Sequence, residues 1–250
     1  MERDHRFAQA VELTTATYDR AAGNYAERNE DMQPHWIARF EQFLDLLAQG
    51  EAERPIPELG RPGDDITLEE YLNFVPVLDA GCGHGRDARA FAARGLPALG
   101  VDLSEGMLDQ ARQRTPMRLP KGSVRYALMD LRRLELPDGC CRGVWCSKSL
   151  LHIPRKTAPR AMRELARVVR PGAPVIVFLK QLGAGEPERM LPYPFPDVTD
   201  MPRFYAFYTP EEARTLVEGA GLAVVDVQTA DDPRVTDDPG WVSVLARRIA

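Results

Sequence analysis

The stretch VLDAGCGHGRD, at residues 77–87, constrains the fold more than any other part of this sequence. An apolar run leads into Gly81, Gly83 and Gly85, and a helical pattern begins directly after them. A glycine-rich turn between a strand and a helix is typical of α/β proteins in which a ligand approaches the backbone closely. Dinucleotide-binding proteins use the spacing G-x-G-x-x-G, whereas here the third glycine comes one residue early and Arg86 takes the sixth place. The spacing disfavours an NAD-dependent oxidoreductase, which stays an alternative at this point.

The composition indicates a globular protein with a substantial core. The chain has 250 residues, of which 44% are hydrophobic and 28% charged, and this suits one large α/β domain. A formal net charge of −5 offers no general attraction for nucleic acid, so a nucleic-acid partner is disfavoured. No signal peptide is apparent, and no apolar run approaches the roughly 20 residues of a membrane helix. We therefore expect a cytoplasmic protein without a membrane partner, present as a monomer or homodimer.

The cysteines do not suit a disulfide framework or a zinc site. Cys140 and Cys141 are adjacent, Cys82 and Cys146 lie elsewhere, and no C-x-x-C pair occurs. The four histidines are far apart in the sequence. We therefore expect reduced thiols and no bound metal.

The N-terminal part of the chain is predicted to be helical. TTATYDRAAGNYAERN forms one helix, and HWIARFEQFLDLLAQG forms a second that ends at Gly50. The apolar stripe Trp36–Leu47 on the second helix is interpreted as core packing. Residues 51–66 suit an exposed loop, and a short helix follows near LEEYLNF. We predict an N-terminal helical cap and linker at residues 1–74, followed by the main domain at 75–250.

Strand and helix patterns alternate from residue 75 onward. The predicted strands are VPVLDA, ALGVD, SVRYALMD, GVWCSKSL, APVIVFLK, LAVVDVQ and WVSVLARR. Ser104 can cap one intervening helix, Thr209 with Glu212 can form a capping box for another, and residues 181–208 are predicted to be one long loop. The link between the last two strands is too short for a helical crossover, so we expect them to pair antiparallel. The pattern predicts a doubly wound, mostly parallel, seven-stranded α/β sheet whose last strand pair is antiparallel.

Three carboxylates end the first three predicted strands: Asp79, Asp102 and Asp130. In a doubly wound sheet the ligand lies at the carboxyl ends of the strands, where these acids would meet. Asp102 lies 17 residues beyond Gly85, about where an acid can accept hydrogen bonds from ribose hydroxyls. One acid at a strand end more often caps a turn, but three in order favour a binding site.

Four ordered motifs carry a family resemblance: VLDAGCGHGRD, GVDLSEGML, ALMDL and the strand that follows RVVRPG. Together they resemble the class I S-adenosylmethionine-dependent methyltransferases of the small-molecule type. The resemblance covers about residues 75–182, and YTPEEARTLVEGAGL and the N-terminal YDRAAGNYAER extend it. It implies a Rossmann-like methyltransferase fold and methyl transfer from S-adenosyl-L-methionine to an oxygen, nitrogen or carbon of a small-molecule acceptor, with S-adenosyl-L-homocysteine as product.

The same resemblance implies roles for individual residues. The acid at Asp79 helps to hold the methionyl ammonium, Asp102 accepts from the ribose hydroxyls, and Leu103 packs on the adenine. Asp130 with Leu131 recognises the adenine amino edge, and carbonyls near Cys146 approach the methionyl group. The full implied cofactor site is Asp79, Gly81, Cys82, Gly83, Asp102, Leu103, Met107, Asp130, Leu131 and Cys146. Arg86 is expected to form an ion pair with Asp87 or Glu105 instead of binding a ligand.

His152, in SLLHIP after the fourth strand, is the candidate general base, because its ordinary pKa is near neutrality. A structural histidine bonded to the backbone is an equal alternative. Tyr18 and Tyr25 lie seven residues apart on one helical face and can cover the ligand or merely pack, and Tyr205 is a candidate for the acceptor wall. The fourth strand lacks an Asn/Asp-Pro-Pro-Tyr motif, which disfavours adenine-N6 methylation in nucleic acid. A non-catalytic module that binds S-adenosylmethionine stays an alternative to the enzyme.

Overall fold

The structure, a computed structural model, describes residues 9–53, 66–116, 123–193, 201–231 and 240–249. Within these ranges the helices are α1 Ala10–Arg28, α2 Pro34–Glu53, α3 Leu68–Leu72, α4 Arg86–Ala93, α5 Glu105–Arg114, α6 Ala158–Val168 and α7 Pro210–Glu218. The strands are β1 Val77–Ala80, β2 Ala98–Asp102, β3 Val124–Leu128, β4 Gly143–Ser147, β5 Pro174–Gln181, β6 Glu188–Pro192, β7 Pro202–Tyr208, β8 Leu222–Ala230 and β9 Trp241–Arg248. A 3-10 turn, Leu150–His152, follows β4. None of the helices in the described ranges is long and apolar enough to span a membrane.

The sheet is mostly parallel, as the alternating pattern predicts. Parallel strands follow the order β3-β2-β1-β4-β5, and β9 extends the sheet antiparallel to β5. β8 pairs antiparallel with β9, so the predicted arrangement of the last two strands is confirmed. The chain runs from β1 to β2 and β3 on one side, then to β4 and β5 on the other. The strand order therefore reverses between β1 and β4, where a doubly wound sheet opens a crevice at its carboxyl edge.

The prediction of one long loop at residues 181–208 is wrong, and so is the count of seven strands. The segment contains β6 and β7, which pair antiparallel and bring the sheet of the described residues to nine strands. Pro192 and Pro202, which favoured a loop in the sequence, pair at the end of this ladder, where a missing N–H group is tolerated. Residues 194–200 of the predicted loop lie outside the described residues. The hairpin joins the main sheet through two residue pairs only, Lys180 with Phe207 and Gln181 with Tyr208.

Helix α2 packs its apolar stripe into the core. Trp36, Phe40, Phe43 and Leu47 are all buried and belong to the same hydrophobic cluster as the central strands. The ring centroid of Phe43 lies 5.6 Å from that of Trp145 on β4. The interpretation of this stripe as core packing is therefore confirmed.

The predicted end of the second helix at Gly50 is wrong, because α2 continues through Gly50 to Glu53. A glycine lowers helix propensity by about 1 kcal/mol but does not end a helix that tertiary contacts hold. A Cβ at Gly50 would lie 3.6 Å from the Arg247 guanidinium, so this turn of α2 packs against the end of β9.

The two predicted helix caps are confirmed, whereas the first helix begins at Ala10, before the predicted segment. The Ser104 hydroxyl oxygen accepts from the Met107 N–H at the start of α5, and Thr209 forms the reciprocal capping box with Glu212 at the start of α7. At Gly85 a Cβ would come within 2.9 Å of Ala111 Cβ and 2.5 Å of the Tyr126 hydroxyl. The third glycine therefore lets the start of α4 pack tightly against its neighbours.

We expect Phe43→Ala to lower the free energy of unfolding by about 3–5 kcal/mol, because Phe43 is fully buried and the change leaves a cavity. Ile37→Ala on the same helix is the matched control, since Ile37 is 47% exposed and its loss should change stability by less than about 0.5 kcal/mol. Urea unfolding followed by circular dichroism measures both. Similar losses in the two variants would contradict the assignment of the buried face.

Candidate functional site

A cavity lies at the carboxyl ends of β1, β2 and β4, beneath helix α1. The volume in which the centre of a water-sized molecule can lie is about 140 Å³. One water needs only about 10–15 Å³ of this kind of volume. The cavity can therefore hold an organic ligand. Twelve of the residues selected from the sequence line it: Tyr18, Tyr25, Asp79, Gly81, Cys82, Gly83, Asp102, Leu103, Met107, Asp130, Leu131 and His152.

Two further selected residues, Cys146 and Tyr205, lie behind the cavity wall. Cys146 is completely buried inside β4, and its neighbour Ser147 forms the wall instead. Tyr205 packs its ring 4.9 Å from the His152 ring, measured between centroids. Tyr205 is therefore a support for His152 in this structure.

Asp79 sits at the start of the glycine turn with its carboxylate turned toward helix α4. One carboxylate oxygen accepts from the Ala88 N–H at 2.9 Å. Burial raises the pKa of Asp79 well above its usual range, and the neighbouring Asp87 raises it further. Burial alone would also raise the pKa of Asp87, but Arg86 and the Trp145 indole N–H outweigh it and lower that pKa. The predicted ion pair between Arg86 and Asp87 is confirmed at 2.7 Å, although Arg86 also lines the cavity.

Asp102 ends β2 and joins two edges of the cavity. One carboxylate oxygen accepts from the Gly83 N–H at 2.8 Å, and the other accepts from the Ser104 N–H at 2.9 Å. Burial raises the pKa of Asp102, and these N–H donors oppose the rise. The two carboxylate oxygens together have about four acceptor positions, so Asp102 can still accept from a ligand hydroxyl.

Asp130 lies two residues beyond β3 and is held by Arg132. The Arg132 Nε and Nη2 lie 2.9 and 2.6 Å from the same Asp130 oxygen. Partial burial alone would raise the pKa of Asp130, but Arg132 outweighs burial and lowers it. The carboxylate is therefore ionised and oriented before any ligand binds.

The glycine turn leaves open space and an unsatisfied nitrogen at the cavity. Gly83 has a φ of 53°, and a Cβ there would meet no atom within 4 Å. His84 lines the cavity and is 4% exposed, and its Nδ1 has no hydrogen-bond partner among the described residues. Burial lowers the pKa of His84 to about 4, so its ring is neutral. A buried polar atom without a partner costs about 1–3 kcal/mol, which a polar ligand group could offset.

Helix α1 crosses the cavity as a strap fastened on both sides. On one side, an Asp19 carboxylate oxygen accepts from the Ser104 hydroxyl at 2.6 Å and from the Gly106 N–H at 3.0 Å, which fixes α1 to the start of α5. On the other side, the Thr14 hydroxyl oxygen accepts from the Phe204 N–H of β7 at 2.9 Å.

The turn after α1 is docked on the glycine turn through Glu30. The Glu30 carboxylate lies 2.5 Å from Arg89 Nη2 and 3.5 Å from His84 Nε2. Arg86 donates from Nη1 to the Asn29 carbonyl at 3.3 Å. The α1 strap is therefore attached to the segment that carries the glycines.

His152 is held on both ring nitrogens. Nδ1 lies 2.7 Å from the Phe204 carbonyl oxygen, which can only accept, so Nδ1 carries the proton. Nε2 lies 2.8 Å from the Tyr18 hydroxyl and accepts from it. Burial and then Arg203 lower the pKa of His152 to about 3, so the imidazole is uncharged at pH 7. The Tyr18 and Tyr25 rings share one face of α1, as predicted, with centroids 5.5 Å apart.

Comparison with known proteins identifies the family. A family model described as a methyltransferase domain matches residues 77–172. The chain is 25% identical over 176 residues to the O-methyltransferase cnsE of Penicillium expansum, covering 66% of this chain and 60% of that protein. It is 31% identical to a malonyl-[acyl-carrier protein] O-methyltransferase of Dechloromonas aromatica, covering 67% of this chain and 60% of that protein. Residues 77–172 therefore form a methyltransferase domain of the class I S-adenosylmethionine-dependent type.

The methyltransferase fold extends over nearly the whole chain. It superposes with a TM-score of 0.61 on 1,6-didemethyltoxoflavin-N1-methyltransferase of Burkholderia thailandensis, solved with S-adenosylhomocysteine, covering 96% of this chain and 88% of that one. The sequence identity is 20%, so this likeness shows the fold. The chain spans between 39% and 60% of the length of the first curated methyltransferases it matches.

The methyltransferase cavity also contains residues that the sequence reasoning missed. Thr14 lines it one helical turn before Tyr18, so extending the helical pattern toward the N-terminus could have found it. Ser149 had no local signal, because its role depends on its hydroxyl donating to the Gly81 carbonyl at 2.9 Å. His84 is part of the glycine motif in the sequence, but the direction of its ring depends on the folded turn, so its place in the cavity could not be predicted.

The stability contributed by His84 should depend on pH. Its pKa is about 4 in the folded protein and about 6.5 when unfolded, so its contribution is present above pH 6.5 and lost as the pH falls toward 4. Relative to His84→Gln, the wild-type protein should lose about 2 kcal/mol more unfolding free energy between pH 7 and pH 5. Asp79, whose raised pKa acts in the opposite direction, is common to both proteins and cancels. Urea unfolding at the two pH values measures this, and a pH-independent difference between the proteins would contradict it.

Proposed function

We propose that this chain transfers a methyl group from S-adenosyl-L-methionine to an oxygen, nitrogen or carbon of a small-molecule acceptor. The observation that carries the proposal is the cavity itself. It gathers, from α1, β1, β2 and the segments after β3 and β4, the residues that the family resemblance connects with this cofactor. It lies at the carboxyl edge of the sheet next to the reversal of strand order, where doubly wound folds bind ligands.

The residues in the cavity fit each part of the cofactor. Asp102 can accept from ribose hydroxyls in addition to its backbone donors. Leu103 and Leu131 provide apolar surface for the adenine. Asp79 supplies carboxyl oxygens that can accept from the methionyl ammonium, and the unpaired nitrogen of His84 suits a polar group of the same amino-acid end. When bound, the cofactor supplies an electrophilic methyl group on a sulfonium, which needs alignment more than acid–base assistance.

The proposal of a small-molecule acceptor is supported by the size of the cavity and by the relatives that act on small molecules. In this proposal the α1 strap with Tyr18 and Tyr25 is the cover that excludes water, and the side of the cavity lined by Tyr18 and His152 is the acceptor side. A cytoplasmic location and a monomeric or homodimeric state are part of the same proposal.

Asp102→Ala should weaken the binding of S-adenosylhomocysteine by at least ~10-fold, because a hydrogen bond to a charged group contributes about 1.5–3 kcal/mol. Asp109→Ala is the matched control, since Asp109 lies exposed on α5 and pairs with Arg112. Isothermal titration calorimetry measures both. An unchanged dissociation constant in a folded Asp102→Ala protein would contradict the proposed role of Asp102 in binding the ribose.

The same calorimetry separates the alternatives. Binding of NADH without S-adenosylhomocysteine would favour an oxidoreductase. Binding of S-adenosylhomocysteine, with no methyl transfer to a panel of hydroxyl, amine and carbon acceptors, would favour a non-catalytic module.

Binding of S-adenosylhomocysteine should slow amide hydrogen exchange in α1, because the strap lies over the cavity and gains contacts from the ligand. Helix α6, on which the cavity does not depend, is the internal control and should exchange equally with and without ligand. Hydrogen-exchange mass spectrometry resolves the two segments. Equal exchange of residues 10–28 in both states would argue decisively against a cover.

A further inference from the structure

The Arg203 guanidinium is buried beside the acceptor side of the cavity and has an unusual set of partners. Arg203 is 9% exposed, and its Nη1 donates to the Tyr18 hydroxyl oxygen at 3.2 Å. Its guanidinium carbon lies 4.7 Å from the Tyr193 ring centroid and 5.2 Å from that of Tyr205. In the parts of the chain that the structure describes, no carboxylate forms an ion pair with it. Tyrosine rings and one phenol oxygen therefore stabilise this charge.

The hydrogen bonds around Tyr18 all run in one direction. The Phe204 carbonyl fixes the proton of His152 on Nδ1, so Nε2 is an acceptor and the Tyr18 hydroxyl must donate to it. Arg203 has no acceptor atom, so it donates to the Tyr18 oxygen. The series of hydrogen bonds therefore runs from Arg203 to Tyr18, then to His152, and ends at the Phe204 carbonyl. Each group in this series donates to the next.

This order of donors and acceptors leaves one acceptor position open, and it is a lone pair of the Tyr18 oxygen. A phenol oxygen has two lone pairs, and Arg203 occupies one of them. Tyr18 and His152 line the cavity, whereas Arg203 and Phe204 stand behind them. A hydroxyl or amine in the cavity could donate to the Tyr18 oxygen without breaking any hydrogen bond of this series.

We propose that Tyr18 accepts the proton of a protic acceptor, a hydroxyl or an amine, while passing its own proton to His152, and that Arg203 is the positioning residue of this relay. The inference rests on the proposed function. As the acceptor atom bonds to the methyl carbon, the carbon–sulfur bond breaks and its electron pair stays on sulfur. The acceptor proton moves to the Tyr18 oxygen, and the Tyr18 proton moves to His152 Nε2. The positive charge that begins on the sulfonium ends on the imidazolium, so atoms and charge balance.

The charges that face His152 suit a temporary proton acceptor. Tyr18 reaches it from α1, and Arg203 and Tyr205 reach it from β7. On β5, the Lys180 ammonium instead lies 4.0 Å from the Trp241 ring centroid. Arg203 is therefore the fixed charge that acts on His152, and together with burial it lowers the pKa of this histidine. The imidazole is uncharged before transfer, and burial together with repulsion by Arg203 favours loss of the proton from the imidazolium afterward. A carboxylate acceptor brings no proton, so it would not use this relay.

The first test reads the relay without any acceptor. In full-length protein labelled with ¹⁵N-histidine, long-range ¹⁵N–¹H correlation spectra should show His152 as the neutral Nδ1–H tautomer from pH 8 to pH 5. Arg203→Met should raise the His152 pKa by about one pH unit or more, because a nearby positive charge is removed. Arg203→Lys keeps the charge and should leave the His152 pKa near the wild-type value. Tyr18→Phe should shift the Nε2 resonance, because its donor is lost.

An Nε2–H tautomer would overturn the proposal, as would identical His152 titration in the wild-type and Arg203→Met proteins. If Arg203→Met does not fold, the comparison of Tyr18→Phe with wild type decides, and an unmoved Nε2 resonance would refute the relay.

The second test addresses the chemistry. The probes are catechol, aniline and benzoate, with formation of S-adenosylhomocysteine as the readout. Tyr18→Phe should slow transfer to catechol or aniline by roughly 100-fold or more while the dissociation constant of S-adenosylhomocysteine stays within about twofold. Transfer to benzoate alone, or unchanged transfer to catechol in Tyr18→Phe, would refute the relay. If the wild-type protein does not bind S-adenosylhomocysteine, the proposed function is refuted instead. The failure of the relay and the failure of the proposed function are therefore distinguishable.

Discussion

The two hydrogen bonds of the Asp102 carboxylate hold the cavity together. One oxygen holds the Gly83 N–H and the other holds the Ser104 N–H, so the glycine turn and the start of α5 have a common anchor. Ser104 also caps α5 and donates its hydroxyl to Asp19 of the α1 strap. Three segments far apart in the sequence are thus fastened to one another through adjacent polar groups. The carboxylate that we propose for ribose binding therefore also determines the shape of the space around it.

Carboxylates line the cavity together with a guanidinium. The lining includes Asp79, Asp102, Asp130 and Arg86. A second guanidinium, that of Arg203, lies behind Tyr18 and His152. Water screens such groups less than it screens surface charges, so a ligand in the cavity interacts strongly with each of them.

Local patterns in the sequence could predict much of this fold and part of the site. The capping groups of α5 and α7, the antiparallel last strand pair and the ion pair of Arg86 with Asp87 each depend on neighbouring residues and agree with the structure. The β6–β7 hairpin was missed, because its prolines resemble loop residues and its register depends on contact with α1. The continuation of α2 past Gly50 likewise depends on the distant sheet edge.

Within the site, the same distinction separates what the sequence shows from what it hides. The glycine motif and the three acids mark the cavity, since each lies at the end of a strand. Ser149, His84 and Arg203 gain their importance only from atoms that folding brings near them: the Gly81 carbonyl, the ligand space and the Tyr18 hydroxyl. No spacing rule connects residues 18, 152 and 203.

The β6–β7 hairpin is joined to the sheet by two residue pairs, yet it supplies both Arg203 and the carbonyl that orients His152. Substitutions in it can alter the acceptor side of the cavity while the parallel strands, the glycine turn and Asp102 stay as they are. If the proposed function holds, selection can act on acceptor preference separately from cofactor recognition. The core limits this freedom, because Phe204 and Tyr208 of the hairpin are buried, so an engineer who wishes to change the acceptor can begin with the less buried positions of β6.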